Sequence, residues 1–318
     1  MGRFIAIRLM HALIVLFIVI VLVFLVTRLI PGDAFLVAVA ASGVEVDSAK
    51  TVKVLEEFYG LNKPFYEQFL IWLVNFVSGD WGESIGTGGD VLEMFLDRCP
   101  ITLQLFFWAT LWQFLIGIPA GVISALKRNS RTDMAITTGA LIGFAIPPFW
   151  QAIVMIYLFA VLLPIFPPSG YVSFAEDPMG NVMSMALPSM VLGTSGAALL
   201  ARYVRSSLLE VMSQDFVRTA RAKGLGERAV VTLHAMKPAM IPVVTVVGLI
   251  WAGLLGGSFI LEFVFALPGL GRMTVDAIYQ RDFPVIQAML IIVSLNVLFM
   301  NFIVDVLYAY LDPRVRLR

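Results

Sequence analysis

Long apolar runs separated by short polar stretches dominate the chain. Residues 11 to 30 carry no charge before Arg28 and residues 101 to 126 carry none at all. Each run matches the roughly 20 apolar residues that take a helix across a bilayer. The pattern predicts six transmembrane helices, over 11–30, 101–126, 134–163, 186–203, 238–261 and 285–310. The third is long for one helix and contains Pro147 and Pro148. Proline removes a backbone donor and clashes with the preceding turn, so a kink or tilt is expected there, repaired by neighbouring helices. The fold class is therefore an all-α polytopic membrane protein.

Composition agrees: the 318 residues are 59% hydrophobic and 14% charged, against about 45–50% and about 25% in soluble domains. A single cysteine, Cys99, excludes an intrachain disulfide framework and a cysteine-based metal cluster. The first apolar run exceeds the roughly 7–15 residues of a signal-peptide core, and Arg28-Leu29-Ile30-Pro31-Gly32-Asp33 follows it in place of a small-residue cleavage site. It reads as a retained N-terminal anchor.

The net charge is zero, but its distribution is not even. Six spans place both termini on one side. With the termini cytoplasmic, the inner segments hold Arg3, Arg8, Lys127, Arg128, Arg131, Arg202, Arg205, Arg218, Arg221, Lys223, Arg228, Lys237, Arg314, Arg316 and Arg318, while the short outer loops hold only Arg272 and Arg281. That asymmetry is the one that orients membrane proteins. The chain divides into an anchor helix (1–30), an external helical segment (31–100), a membrane core (101–311) with an inner loop at 203–237, and a cytoplasmic tail (312–318).

In the acidic outer segment, Asp47 suits the start of a short helix that Gly60 ends, and Pro64 suits the start of another reaching about Ser78. The run Phe69-Leu70-Ile71-Trp72-Leu73-Val74 is too short to span and is expected to lie in the interface or pack on the bundle. Gly79, Gly82, Gly86, Gly88 and Gly89 mark a flexible stretch. The segment either receives a soluble partner or caps the bundle.

The interiors of spans two to five contain no ionisable group, which disfavours proton or sodium coupling. Neutral polar groups are present: Gln104, Gln113, Gln151, Asn296 and Asn301. They either bond helices together or line a weakly polar translocation path, for which Gln151, Asn296 and Asn301 are the candidates. No HExxH, GxSxG or GxxxxGK[ST] motif occurs, so no protease, hydrolase or nucleotide site is indicated. His11 and His234 read as surface residues. Small residues four apart, Gly117 with Gly121, Gly193 with Ala197 and Gly253 with Gly257, allow close helix approach within the bundle or against another subunit.

The inner loop at 203–237 contains Asp215-Phe216-Val217-Arg218-Thr219-Ala220-Arg221-Ala222-Lys223-Gly224-Leu225. Asp215 suits an N-cap and Gly224 a stop, framing about two turns of helix that would gain order by docking. This run, with His234-Ala235 and Pro242-Val243-Val244-Thr245, resembles the coupling loop of binding-protein-dependent ABC importer permeases of the dipeptide/oligopeptide branch. The wider family writes the motif as Glu-Ala-Ala, two further residues, then Gly. Here Ala220 and Gly224 match, while Thr219 and Arg221 stand for the glutamate and second alanine, as is usual in that branch. Gly60-Leu61-Asn62-Lys63-Pro64, Gly79-Asp80-Trp81-Gly82-Glu83-Ser84, Phe265-Ala266-Leu267-Pro268-Gly269-Leu270-Gly271-Arg272 and Leu311-Asp312-Pro313-Arg314 resemble the same branch, in order.

The resemblance implies the type I ABC importer permease fold in a bacterial or archaeal inner membrane. It also implies a second homologous permease subunit, two cytoplasmic ATPase subunits and an external substrate-binding protein. No cofactor belongs to this chain, ATP and Mg being held by the ATPases; lipid surrounds it and no nucleic acid is involved. Thr219, Ala220, Arg221 and Gly224 are assigned by the resemblance to the ATPase contact, with Ala220 small for close approach and with Arg218 and Lys223 supplying charge. Cargo is a di- or oligopeptide or a peptide-like solute. The same machine carrying a nickel chelate, glutathione or a sugar is the alternative within transport, and a stand-alone channel or scaffold the alternative outside it.

Overall fold

The computed structural model describes residues 2–29 and 63–311, and the expected helix between Asp47 and Gly60 lies outside them. Eleven α-helices follow among the described residues: α1 (Gly2–Leu29), α2 (Phe65–Val77), α3 (Val91–Leu126), α4 (Arg131–Ala145), α5 (Pro148–Ile156), α6 (Pro178–Met212), α7 (Asp215–Ala222), the single turn α8 (Glu227–Ala229), α9 (Met236–Val264), α10 (Leu270–Gln280) and α11 (Phe283–Leu311). Wider π-type turns at Tyr157–Leu162 and Val230–Ala235 continue α5 and lead from α8 into α9.

Five of these stretches are long and apolar enough to cross a membrane singly, and α4 with α5 makes a sixth if the bent pair counts as one crossing. The third expected span is thus corrected. It is not one kinked helix over 134–163 but two, meeting at 102°. Ile146 and Pro147 are both extended, at ψ 124° and 136°. Each precedes a proline, whose Cδ bars the preceding residue from helical geometry, so two consecutive prolines remove two helical residues together.

The apolar runs place the other helices correctly and cut them short. α3 starts ten residues before 101, because Asp90 accepts the Glu93 N–H at 2.8 Å and caps it there. α6 extends 186–203 at both ends, with Asp177 capping its start. Polar residues end hydropathy but not helix.

α3 and α6 form the centre of the molecule. A Cβ added at Gly117 would lie 3.0 Å from the Ala197 carbonyl, one at Gly121 2.6 Å from the Ala201 carbonyl, and one at Gly193 2.5 Å from the Trp112 Cβ. The small-residue pattern of these two helices is therefore internal packing, backbone against backbone. Gly253 is different, with nothing within 4 Å of its Cβ position. Gly121→Ala is expected to force the two helices apart at a cost of about 1–3 kcal/mol, read as a lower melting temperature of the purified subunit in detergent; an unchanged melt contradicts the packing.

α2 is amphipathic and packs on the bundle. Its Phe69 and Trp72 rings lie 5.3 and 5.5 Å from Phe24 of α1, and Phe76 stacks on Trp81 at 4.9 Å, which in turn meets Phe95 of α3 at 5.3 Å. The glycine-rich stretch that follows is ordered, contrary to expectation. Its fixed point is Asp282, buried at the start of α11, which accepts from the Ser84 hydroxyl at 2.5 Å and the Gly86 N–H at 3.2 Å. The glycines serve geometry: Gly79, Gly82 and Gly88 take positive φ.

α10 is an amphipathic helix inside what the sequence left as a loop between the last two spans. Its start is held by Glu262, a fully buried carboxylate on α9 that accepts the Gly271 and Arg272 N–H groups at 2.7 and 3.1 Å and the Thr102 hydroxyl at 2.9 Å. Thr102 accepts the Leu270 N–H in turn, at 2.9 Å. α3, α9 and α10 are thereby tied at one point.

Candidate functional site

The loop between α6 and α9 folds into α7, a two-turn helix. α6 runs to Met212, a turn follows, and Gln214 in extended geometry caps the new helix. Asp215 is not the cap; it is the first helical residue, and its carboxylate takes the Arg218 guanidinium at 3.3 Å. An acid in the first turn still complements the helix dipole.

The end of α7 matches the expected stop. Gly224 has φ +81°, its N–H bonds to the Arg221 carbonyl at 2.9 Å, and the Leu225 N–H bonds to the Ala220 carbonyl at 3.4 Å. These paired bonds around a left-handed residue satisfy carbonyls that the helix end leaves open. Gly224→Ala meets no steric obstacle but must hold a conformation L-residues avoid, at a cost of about 1 kcal/mol. Gly224→Val is expected to cost more, and Gly224→Asn less, in the protease resistance of the 213–229 segment. Equal resistance in all three contradicts the strained geometry.

α7 has two faces. Val217 and Ala220 are buried in a cluster with Leu208 and Val211 of α6, Val230 and Ala235 of the π-type turn, and Ala239 of α9. Arg218, Thr219, Arg221, Lys223 and Gly224 are exposed, with Phe216 and Leu225 beside them. Ala220 is buried against its own chain, and its small side chain lets α7 sit closely on α6 and α9. Thr219 donates to the Asp215 carbonyl at 2.9 Å. Arg221 forms a two-pronged contact with Glu227, at 3.1 and 2.7 Å, which raises the guanidinium pKa above its ordinary value and ties the turn after α7 back onto it. The exposed position limits what that pair adds to stability.

A second polar cluster joins the end of α3, the start of α4 and the last turns of α6. Asp133, in the first turn of α4, is 4% exposed and accepts Arg205 Nε and Nη2 of α6, both at 2.8 Å. It also accepts the Ser124 hydroxyl from the last turn of α3, the Asn129 N–H at 2.9 Å and the Thr137 hydroxyl at 3.3 Å. Ser130 caps α4 by accepting the Asp133 N–H at 3.2 Å. The sequence reading missed this cluster, although Ser130 followed three residues later by an acid is a helix-start signature.

The three translocation-path candidates do not share one network. Gln151 of α5 donates to the Thr194 hydroxyl at 2.6 Å and accepts from Ser195 at 3.3 Å, both on α6. Asn296 of α11 donates to the Ala252 carbonyl at 3.3 Å and borders an apolar crevice of about 370 Å³ between α3, α9 and α11. Asn301 is exposed on α11. Gln104 pairs with Asn181, and the Gln113 amide nitrogen is buried without a hydrogen-bond partner among the described residues.

Residues 117–317 match the family model of the binding-protein-dependent transport system inner membrane component, and residues 1–106 match that of the N-terminal part of the same membrane components. The chain is 40% identical to an oligopeptide transport system permease protein of Bacillus subtilis, covering 93% of each chain. It is equally similar to a di/tripeptide transport system permease protein of Pseudomonas aeruginosa, over 99% of each, and to a glutathione transport system permease protein of Escherichia coli, over 97% of each. An inward-facing structure of the MetNI methionine ABC transporter shares the fold, with a TM-score of 0.59 at 20% identity, over 69% of this chain and 96% of that one.

Proposed function

The chain belongs to the family of binding-protein-dependent transport system inner membrane components and is the permease component of a peptide ABC importer, and we propose that α7 is where ATPase subunits drive it. The observation that carries the coupling assignment is the two-faced construction of α7. One face packs against α6 and α9, the two long helices that flank it, and the other presents Arg218, Thr219, Arg221, Lys223 and Gly224 to solvent. A short helix so mounted converts a push from below into rigid-body displacement of two spans.

In this reading the basic end faces the cytoplasm, as the positive-inside asymmetry requires. A second permease subunit completes the path, two ATPases hold ATP and Mg, and an external receptor delivers the solute. The relatives named for oligopeptides, di/tripeptides and glutathione support a short peptide or a peptide-like solute as cargo. Gln151 and Asn296 are bonded between helices and act as path residues only if those bonds open during transport. Asn301 is free of that condition, and Asn301→Ala is expected to slow uptake if it lines the path.

Reconstitution tests the reading. The complete complex in liposomes is expected to hydrolyse ATP faster when peptide-loaded receptor is added outside, and to accumulate the peptide. The chain alone is expected to do neither. Conductance or uphill uptake by the chain alone overturns the assignment.

A further inference from the structure

The Asp133–Arg205 cluster lies outside the α7 surface and outside the candidate path, and its position gives it a mechanical role. α6 is one uninterrupted helix from Pro178 to Met212 and ends three residues before α7 begins. Arg205 rides on its last turns. α3 is locked to α6 by the close glycine contacts at Gly117, Gly121 and Gly193. α4 has no such lock. Gly139 meets nothing within 4 Å and Gly143 meets only the Ala198 Cβ, at 3.7 Å. What fixes the start of α4 is Asp133, which takes both prongs of Arg205 from α6 and the Ser124 hydroxyl from α3.

We propose that the Asp133–Arg205 pair is a strut that carries displacement of the coupling helix into α4, and through it to the α4–α5 elbow. Both are positioning residues, acting through α4 and not on the solute, and the inference rests on α7 being the ATPase contact. A guanidinium gripped at two points resists rotation as well as separation, which a single-point lysine contact does not. The elbow is where the transmitted motion is released. Ile146 and Pro147 are extended there and the helix axis turns by 102°, so α5 changes its angle to α4 once the Gln151 bonds to Thr194 and Ser195 of α6 open. The pair is not sealed away. It borders a crevice of about 400 Å³ lined by Asn129, Ser130, Met134, Thr137 and Thr138. Water there can solvate the charge that remains when one partner is removed, so loss of the strut leaves the fold standing and cuts the transmission.

The test uses the complete reconstituted complex with peptide-loaded receptor. Asp133→Asn and Arg205→Met are expected to keep both ATPases bound and basal hydrolysis unchanged. Receptor stimulation and uptake are expected to fall about tenfold, within the span of site-to-site coupling energies, with Arg205→Lys intermediate. In a Cys99→Ser background, Asp133→Cys with Arg205→Cys is expected to be equally uncoupled and to regain uptake when the two thiols are joined by a short bismaleimide, because a covalent strut replaces the ionic one. Unchanged uptake in the single variants, loss of ATPase binding in them, or no gain on cross-linking overturns the proposal. Wild-type complex run alongside separates the two levels: no receptor stimulation there overturns the functional reading, whereas normal stimulation there with unaffected variants overturns the strut alone.

Discussion

Ala220→Glu is expected to abolish peptide uptake while the protein still inserts into the membrane. Ala220 is 6% exposed and surrounded by Leu208, Val211, Val217, Val230, Ala235 and Ala239. No cation is buried in that cluster, so a carboxylate there is unpaired, and burial of an unpaired charge costs several kcal/mol. α7 escapes the cost by lifting off. A two-turn helix without its docking face does not persist in water, so the ATPase contact loses its shape. The neighbouring Thr219→Ala removes one local bond to the Asp215 carbonyl, worth about 1 kcal/mol, and is expected to leave α7 folded and protease-resistant. Co-purification of the ATPases, solute uptake and limited proteolysis of residues 213–229 read the three levels separately. Retained ATPases with a protease-resistant α7 in the Ala220→Glu protein would falsify the inward-facing placement.

The second large effect lies at the opposite end. Glu262→Ala strips the acceptor from the Gly271 and Arg272 N–H groups and from the Thr102 hydroxyl, all at the junction of α3, α9 and α10. Each buried donor left unmet costs about 1–3 kcal/mol, and two of the three losses fall on the first turn of α10. α10 is expected to detach at its start, with a lower melting temperature and new protease cleavage between residues 266 and 281. Glu262→Gln keeps the shape and one acceptor but turns an NH2 group toward donors, so an intermediate effect is expected. Gly271→Ala tests the same junction by steric means, since its Cβ would lie 2.7 Å from the Phe259 Cα, an atom of the backbone that cannot swing away. If Glu262→Ala melts like the wild type, the carboxylate does not hold α10.

The membrane character, the approximate place of each span and the helix α7 were legible because each rests on neighbouring residues. Apolar runs report spans; Gly224 reports a left-handed helix end, and φ +81° agrees. What stayed hidden was set by residues far apart in the chain. Five glycines between 79 and 89 signal backbone freedom, and freedom was read as mobility. Ser84 and Gly86 instead bond to Asp282, on the far side of four spans. α10 was passed over because it is too short and too polar for a hydropathy window, although Leu270, Met273, Thr274 and Ala277 already had helical spacing. The elbow at Pro147 and Pro148 was foreseen in place but not in size.

At α7 the division is finest. The residues of α7 were all named from sequence, yet only Val217 and Ala220 face inward, and two apolar positions in eight do not define a face without knowing which neighbours lie against it. The same holds for the strut. Asp133 and Arg205 each read as ordinary polar residues beside a span, and only the packing of α4 against α6 joins them.

By itself the sequence determined that this is a helical membrane protein, where its spans lie and which short segment departs from them, because hydrophobic transfer and local backbone preference act on consecutive residues. Tertiary structure decided which face of that segment is free, which carboxylates are anchors and where the third span breaks away. Those outcomes depend on partners brought together across the bundle, and contact between distant residues is a property of packing that no stretch of chain carries alone.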